Sequence, residues 1–198
     1  MILVLATRNE HKVREIRQVL GDLPVTILSA RDFPSLPPIE ERGRTFQENA
    51  LHKARTVAEH TGHLALADDS GLEVDALGGQ PGVFSARFAG EGATDRENNE
   101  KLLRLLAACP EEARTARFRC VLALADPAGW ADWVEGVCEG RIGYEERGSG
   151  GFGYDPLFIV AGLGKTMAEL SPEEKNAVSH RGQALRAARA RWGWILSR

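Results

Sequence analysis

Ile2-Leu3-Val4-Leu5-Ala6-Thr7-Arg8-Asn9-Glu10-His11-Lys12 is the stretch that decides the fold. A short aliphatic run that halts at polar residues reads as a buried strand, and Val13, Ile16, Val19 and Leu20 then recur at helical spacing. The chain therefore opens with a strand, a tight turn and a helix. Backbone N–H groups in the first turn of a helix lack intrahelical partners and carry partial positive charge, so this turn suits an anion such as phosphate. An equally simple reading makes Thr7 or Asn9 a helix cap and Lys12 a solvated charge.

Downstream, Val25 to Leu28 fits a short strand, and the Pro-rich stretch Pro34 to Ile39 excludes regular structure. Thr45-Phe46-Gln47-Glu48 is a capping box ahead of a helix whose apolar stripe is Phe46, Ala50, Ala54, Val57 and Ala58. Lys53 lies at the edge of that stripe, out of place unless an anion is near. Leu64 to Ala67 reads as a strand ending at Asp68-Asp69-Ser70-Gly71, with an extended pattern resuming over Leu72 to Leu77. Thr94 to Glu97 is a second capping box, and its helix ends before Pro110. Ala116 to Ala125 and Trp133 to Ile142 flank Asp126-Pro127-Ala128-Gly129 as a hairpin, and Leu157 to Val160 is a short strand. Ser171 to Glu174 caps a last helical region that hesitates near Ser179 and runs to Trp194. Strand–helix alternation followed by a hairpin predicts an α/β fold, a mixed sheet with flanking helices.

At 198 residues, 43% of them hydrophobic, the chain fits one domain or two lobes sharing a core. A net charge of −3 gives no basic footprint for sequence-independent binding of nucleic acid, so a polyanionic substrate must be met by a local cluster. Cys109, Cys120 and Cys138 follow no metal-ligand spacing and read as reduced thiols. The first apolar run is too short for a signal peptide, and nothing approaches the roughly 20 apolar residues of a membrane span. A cytoplasmic protein with no membrane partner is expected.

Two acidic pairs stand out, Glu40-Glu41 and Asp68-Asp69. Neighbouring carboxylates on one strand point to opposite faces, so one can look toward a ligand while the other turns to structure. Carboxylate oxygens suit Mg²⁺, and one of them can act as general base on a water. The plain alternatives are a turn at 68–71 and a solvated acidic run at 40–41. The Gly-rich loop Gly148 to Pro156 holds Phe152 and Tyr154, rings that either stack on a purine or tuck into the core. Asp155 can accept hydrogen bonds from base N–H groups. Lys175, His180 and Arg181 gather within seven residues, and on one helix His180 and Arg181 would reach a site side by side. Donors of this kind favour a 6-oxo purine over adenine.

Taken together, Thr7-x-Asn9-x-x-Lys12, Phe46-x-Glu48-Asn49-Ala50-x-x-Lys53-Ala54, Ala67-Asp68-Asp69-Ser70-Gly71-Leu72, Leu77-Gly78-Gly79-x-Pro81-Gly82, Gly151-Phe152-Gly153-Tyr154-Asp155-Pro156 and Ser179-His180-Arg181 resemble the inosine/xanthosine triphosphate pyrophosphatase family, in order and over nearly the whole chain. The resemblance implies an elongated two-lobed fold with a central substrate cleft, a homodimer, and Mg²⁺-dependent hydrolysis of ITP, dITP and XTP to monophosphate and pyrophosphate. It implies that Thr7, Arg8, Asn9, Glu10, His11 and Lys12 bind the triphosphate, with Lys53 a further phosphate contact and Ser70 a substrate contact. Asp69 would be proton acceptor and Mg²⁺ ligand, with Glu40 the second ligand; Glu41 and Asp68 stay open as alternatives one residue away. Phe152, Gly153, Tyr154, Asp155, Lys175, His180 and Arg181 would form the base pocket. Two other readings compete: a nucleotide-binding module without turnover, and a pyrophosphatase for other modified nucleotides.

Overall fold

The computed structural model describes residues 1–197 as an α/β fold on one six-stranded sheet of order β2-β1-β3-β4-β5-β6. The strands are β1 (Ile2–Leu5), β2 (Thr26–Ser29), β3 (Leu64–Val74), β4 (Thr115–Ala125), β5 (Ala131–Ile142) and β6 (Phe158–Val160). The helices are α1 (Glu10–Leu20), α2 (Phe46–Thr61), α3 (Asp95–Leu105), α4 (Pro172–Val178) and α5 (His180–Leu196). β1 pairs in parallel with β2 and β3, whereas β5 and β6 are antiparallel, which makes the sheet mixed.

Two compact units share this chain. The first is residues 1–69, 120–136 and those from Arg181 onward; the second is residues 70–119 and 137–180. Each has its own apolar core. In the first, Leu3, Leu5, Ile16, Leu66, Leu122, Leu185 and Trp192 pack together. In the second, Leu72, Leu102, Phe118, Leu157, Phe158 and Met167 do so.

Local chemistry explains most boundaries. Asn9 is the cap of α1: its Oδ1 accepts from the N–H groups of His11 and Lys12, and Thr7 Oγ1 accepts from Asn9 itself. Thr94 and Ser171 form complete capping boxes. At α2 the box is displaced, because Thr45 accepts from Glu48 N–H but the Glu48 carboxylate reaches Arg44 N–H instead. α2 ends at Gly62 in the left-handed conformation, φ 68°, which glycine adopts without a Cβ clash.

One sequence expectation is overturned. Asp68 to Gly71 form no turn; β3 runs unbroken through them for 11 residues. Turn-forming composition yields here to burial, because the side chains of Asp68 and Asp69 meet cations from distant segments instead of water. The last helical region breaks at Ser179, as its sequence predicts, and then extends two residues past Trp194. Among the described residues no helix is long and apolar enough to cross a membrane.

Candidate active site

Register places the first cluster. Leu5 is level with Leu66 in the parallel β1–β3 pair, so β1 leaves the sheet into the Thr7–Asn9 turn just where β3 continues into Asp68 and Asp69. Lys12, in the first turns of α1, donates to Asp68 Oδ1. Arg181 donates through Nε to Asp68 Oδ2 at 2.7 Å, and also pairs with Glu15 of α1. The Cys120 thiol lies 3.2 Å from the same Oδ2. Asp68 is thus saturated. Burial alone would push its carboxyl up, yet Arg181 and Lys12 hold it well below the usual carboxylate range.

Asp69 points the other way and lives differently. Lys53 Nζ lies 3.2 Å from Asp69 Oδ1, 2.5 Å from Glu41 Oε1 and 2.7 Å from the Asp68 carbonyl. Asp69 Oδ2 is buried and makes no hydrogen bond. Burial raises this carboxyl; Lys53 pulls it down, and the nearby Glu41 pushes it up again, with a net rise. Lys53 keeps its proton: burial works against its charge, but Asp69 and Glu41 outweigh it. Two neighbours in sequence are therefore shifted in opposite directions, Asp68 downward by its cations and Asp69 upward by burial.

Of the acidic pair at 40–41, the structure brings Glu41 to this cluster. Glu40 is exposed and pairs with Arg42. Among the described residues no group of three or more His, Cys, Asp or Glu side chains is arranged as a metal cage. The donor set nonetheless fits Mg²⁺, which takes one or two carboxylates and completes its shell with water and phosphate oxygens. Asp69 and Glu41, which share the Lys53 ammonium, are the two carboxylates here that would hold it. In the turn itself Arg8 donates to the Leu36 carbonyl at 2.8 Å and Glu10 pairs with Arg31 at 2.7 Å, while Asn9 and His11 stay exposed.

The second cluster lies in the second unit, on the loop before β6. Asp155 Oδ2 accepts from the Phe152 N–H at 3.0 Å and from Lys175 Nζ at 2.7 Å. Lys175 also lies 4.9 Å from the centre of the Phe152 ring. A Cβ on Gly151 would come within 2.1 Å of Asp155 Oδ2, so the loop closes this tightly only with glycine there. Gly153 is gripped by α3: its N–H donates to Asp95 at 2.7 Å, and its carbonyl accepts from Asn99 at 3.1 Å. The two aromatics part company. Phe152 is half-buried, whereas Tyr154 tucks into the core and donates its hydroxyl to the Ser85 carbonyl at 2.6 Å.

His180 and Arg181 have different neighbours. Ser179 is extended, ψ 156°, so residues 177 and 180 share no continuous helix face. His180 stacks on Phe118 at 4.7 Å in the second unit, while Arg181 belongs to the first and is committed to Asp68 and Glu15. Ser70, half-buried, follows Asp69 as the first residue of the second unit. Glu15, Asn49, Asp95, Asn99 and Cys120 carry site contacts to which the sequence alone assigned no role. Only Asn49 had a visible signal, four residues before Lys53 and hence on the same helix face.

A strand–turn–helix whose paired strand carboxylates meet two lysines, and a glycine loop carrying a half-buried aromatic ring, characterise this α/β fold. Comparison with known proteins narrows this. Residues 3–191 match the Ham1 family, and the chain belongs to that family. It is 57% identical over 192 residues to a Geobacter sulfurreducens protein named dITP/XTP pyrophosphatase, covering 97% of this chain and 96% of that one. A Desulforamulus reducens protein of the same name is 56% identical, with 95% and 94% covered. The solved structure of a HAM1 protein from Coxiella burnetii aligns with a TM-score of 0.89 at 47% identity, covering 98% of this chain and 99% of that one. The Staphylococcus aureus Ham1 structure gives 0.87 at 37% identity, covering 98% and 100%.

Proposed function

We propose that this chain hydrolyses the deaminated purine nucleotides ITP, dITP and XTP between the α- and β-phosphates, releasing monophosphate and pyrophosphate. The observation that carries the reading is the divergence of Asp68 and Asp69. A carboxyl that burial pushes upward, beside the Lys53 ammonium, suits a proton acceptor for a water. The names borne by the Geobacter and Desulforamulus relatives support the substrate class.

In this mechanism a water oxygen attacks the α-phosphorus, its proton passes to Asp69 Oδ2, and the bond to pyrophosphate breaks. Lys12 and Lys53 meet the negative charge of the phosphate chain, and the turn Thr7 to His11 receives the departing β- and γ-phosphates. Asp69 and Glu41 would hold Mg²⁺, and the ion when bound would supply charge neutralisation. At the base, Phe152 offers a stacking face and Lys175 a donor for a 6-oxo group. Adenine, whose 6-amino group is itself a donor, would leave such a donor unpaired in a desolvated site. Arg181 serves this chemistry by holding Asp68, and a homodimer, implied by the family resemblance alone, is tested by light scattering.

The decisive assay follows pyrophosphate release from ITP with Mg²⁺, with EDTA, and in Glu40→Gln and Glu41→Gln variants across a Mg²⁺ titration. Mg²⁺-dependent release is expected, with Glu41→Gln raising the Mg²⁺ requirement at least 10-fold, as loss of a carboxylate ligand should, and Glu40→Gln leaving it near wild type. No release above the EDTA control refutes hydrolysis, and the opposite ranking of the two variants reassigns the ligand.

A further inference from the structure

Gly153 is held at both polar ends of its backbone by one helix. Asp95 and Asn99 stand four residues apart in α3, the spacing that puts two side chains on one helix face. The Asp95 carboxylate accepts from the Gly153 N–H at 2.7 Å, and Asn99 Nδ2 donates to the Gly153 carbonyl at 3.1 Å. The same Nδ2 donates to Glu146 at 2.9 Å, and with oxygen acceptors on two sides the buried amide has one workable orientation. Asp95 is not needed as a cap, because Thr94 and Glu97 close the first turn of α3 between themselves. Its carboxylate serves the loop instead. Gly153 sits at φ 61°, where glycine has the widest choice of conformations, and the two hydrogen bonds from α3 remove that choice.

The helix that does the holding is itself fixed. Asn98 accepts from the Ala89 N–H at 2.8 Å and donates to the Ala86 carbonyl at 3.1 Å, which ties α3 to the turn at 82–89. The Ser85 carbonyl of that turn receives the Tyr154 hydroxyl at 2.6 Å, so the loop meets the same frame again one residue later. Beyond the far end of α3 the buried Arg114 guanidinium donates to the Leu106 carbonyl at 2.6 Å and to the Ile142 carbonyl at 2.8 Å. Phe152 is therefore bracketed: Asp155 takes its N–H at 3.0 Å, and α3 fixes the residue that follows it. A stacking ring on a loose glycine loop has to be ordered each time a base binds, at a cost in affinity. We infer that Asp95 and Asn99 are positioning residues for base recognition, presetting the loop so that Phe152 presents its face before the nucleotide arrives. They touch no reacting atom, and their effect passes through Phe152.

This inference rests on the proposal that Phe152 is the stacking face for the base, and its test tells the two apart. Asp95→Ala, Asp95→Asn and Asn99→Ala are each made alone and together with Phe152→Ala, and steady-state kinetics with ITP and thermal melting are measured. Asp95→Ala and Asn99→Ala should raise KM about 5- to 20-fold with kcat within about 3-fold of wild type, inside the range of a lost base–aromatic contact. Asp95→Asn keeps an acceptor for the Gly153 N–H and should recover KM to within about 3-fold of wild type, which a role of the charge at the helix terminus would not allow. With Phe152 already truncated, each should change KM by less than about 2-fold, as residues acting through one side chain do in a double-mutant cycle. If Asn99→Ala does not fold, Asp95→Ala, at an exposed position, decides alone. The positioning role is overturned by a folded Asp95→Ala or Asn99→Ala enzyme with KM within about 2-fold of wild type, or by a loss carried by kcat. An Asp95→Asn enzyme as impaired as Asp95→Ala, or effects that multiply in full with that of Phe152→Ala, overturn it equally. If Phe152→Ala itself leaves KM unchanged, the stacking reading fails instead.

Discussion

The cluster on β3 and the loop before β6 both bury a lysine against a carboxylate, and they use it differently. Around Asp68 and Asp69, six ionisable side chains, Lys12, Glu15, Glu41, Lys53, Arg181 and the aspartates' own partner Cys120, form an alternating charge network. Around Asp155 stand the Lys175 ammonium, the Phe152 ring and a backbone held by hydrogen bonds. In the proposed mechanism the first arrangement sets protonation and meets phosphate, and the second sets shape and donor direction. Catalysis and selectivity are therefore assigned to separable residues, and substitutions should divide the same way.

The sharpest way to break that division is Asp69→Asn. It should lower kcat for ITP by at least about 1,000-fold, since it removes the proton acceptor and a carboxylate ligand together, while the melting temperature holds or rises. The sign follows from the pKa: a carboxyl raised in the folded state contributes stability only at low pH and loses it as pH rises through the folded value. An active Asp69→Asn enzyme, followed by pyrophosphate release, would remove Asp69 from the mechanism.

Asp68→Asn sharpens the contrast from the stability side. Its carboxyl is held well below 3.8, so its contribution is present above that value and fades as pH falls through the folded one. Urea unfolding at pH 7 should show a loss of about 3 to 5 kcal/mol, the range for removing one partner of a buried ion pair. The difference from wild type should shrink once the pH drops below the folded pKa. A variant as stable as wild type at pH 7 would show that Arg181 and Lys12 gain nothing from this partner.

The mildest effect belongs to the loop. Phe152→Ala should leave kcat for ITP within a few-fold and raise KM about 5- to 100-fold, since base–aromatic stacking contributes about 1 to 3 kcal/mol. Steady-state kinetics with ITP and ATP tests it; a fall in kcat with unchanged KM would place Phe152 with the chemistry, contrary to the division.

The fold is legible in the sequence where its signals are local. Capping boxes at Thr94 and Ser171, the Asn9 turn and the Asp126–Gly129 turn all rest on residues within a few positions of one another. It is not legible where the deciding partner is far away. Asp68-Asp69-Ser70-Gly71 has the composition of a turn, and only Lys12, 56 residues earlier, and Arg181, 113 residues later, make it a strand interior. The same distance hid the roles of His180 and Arg181, which the extended Ser179 sends to different neighbours. Glu40 and Glu41 were indistinguishable as letters, and the Lys53 contact separates them.

The first unit is assembled from three separate stretches of chain, the last beginning at Arg181. A chain made from its N-terminus holds β1, α1, α2 and the start of β3 long before Trp192 and Leu185 exist to cover them. During that interval Asp68 has Lys12 but no guanidinium, and a buried anion short of its partner disfavours closure of the core. The second unit, by contrast, is complete once residue 180 has been added. Synthesis itself therefore imposes an order of maturation, in which the second unit is finished first and Asp68 gains its guanidinium partner only with the final helix.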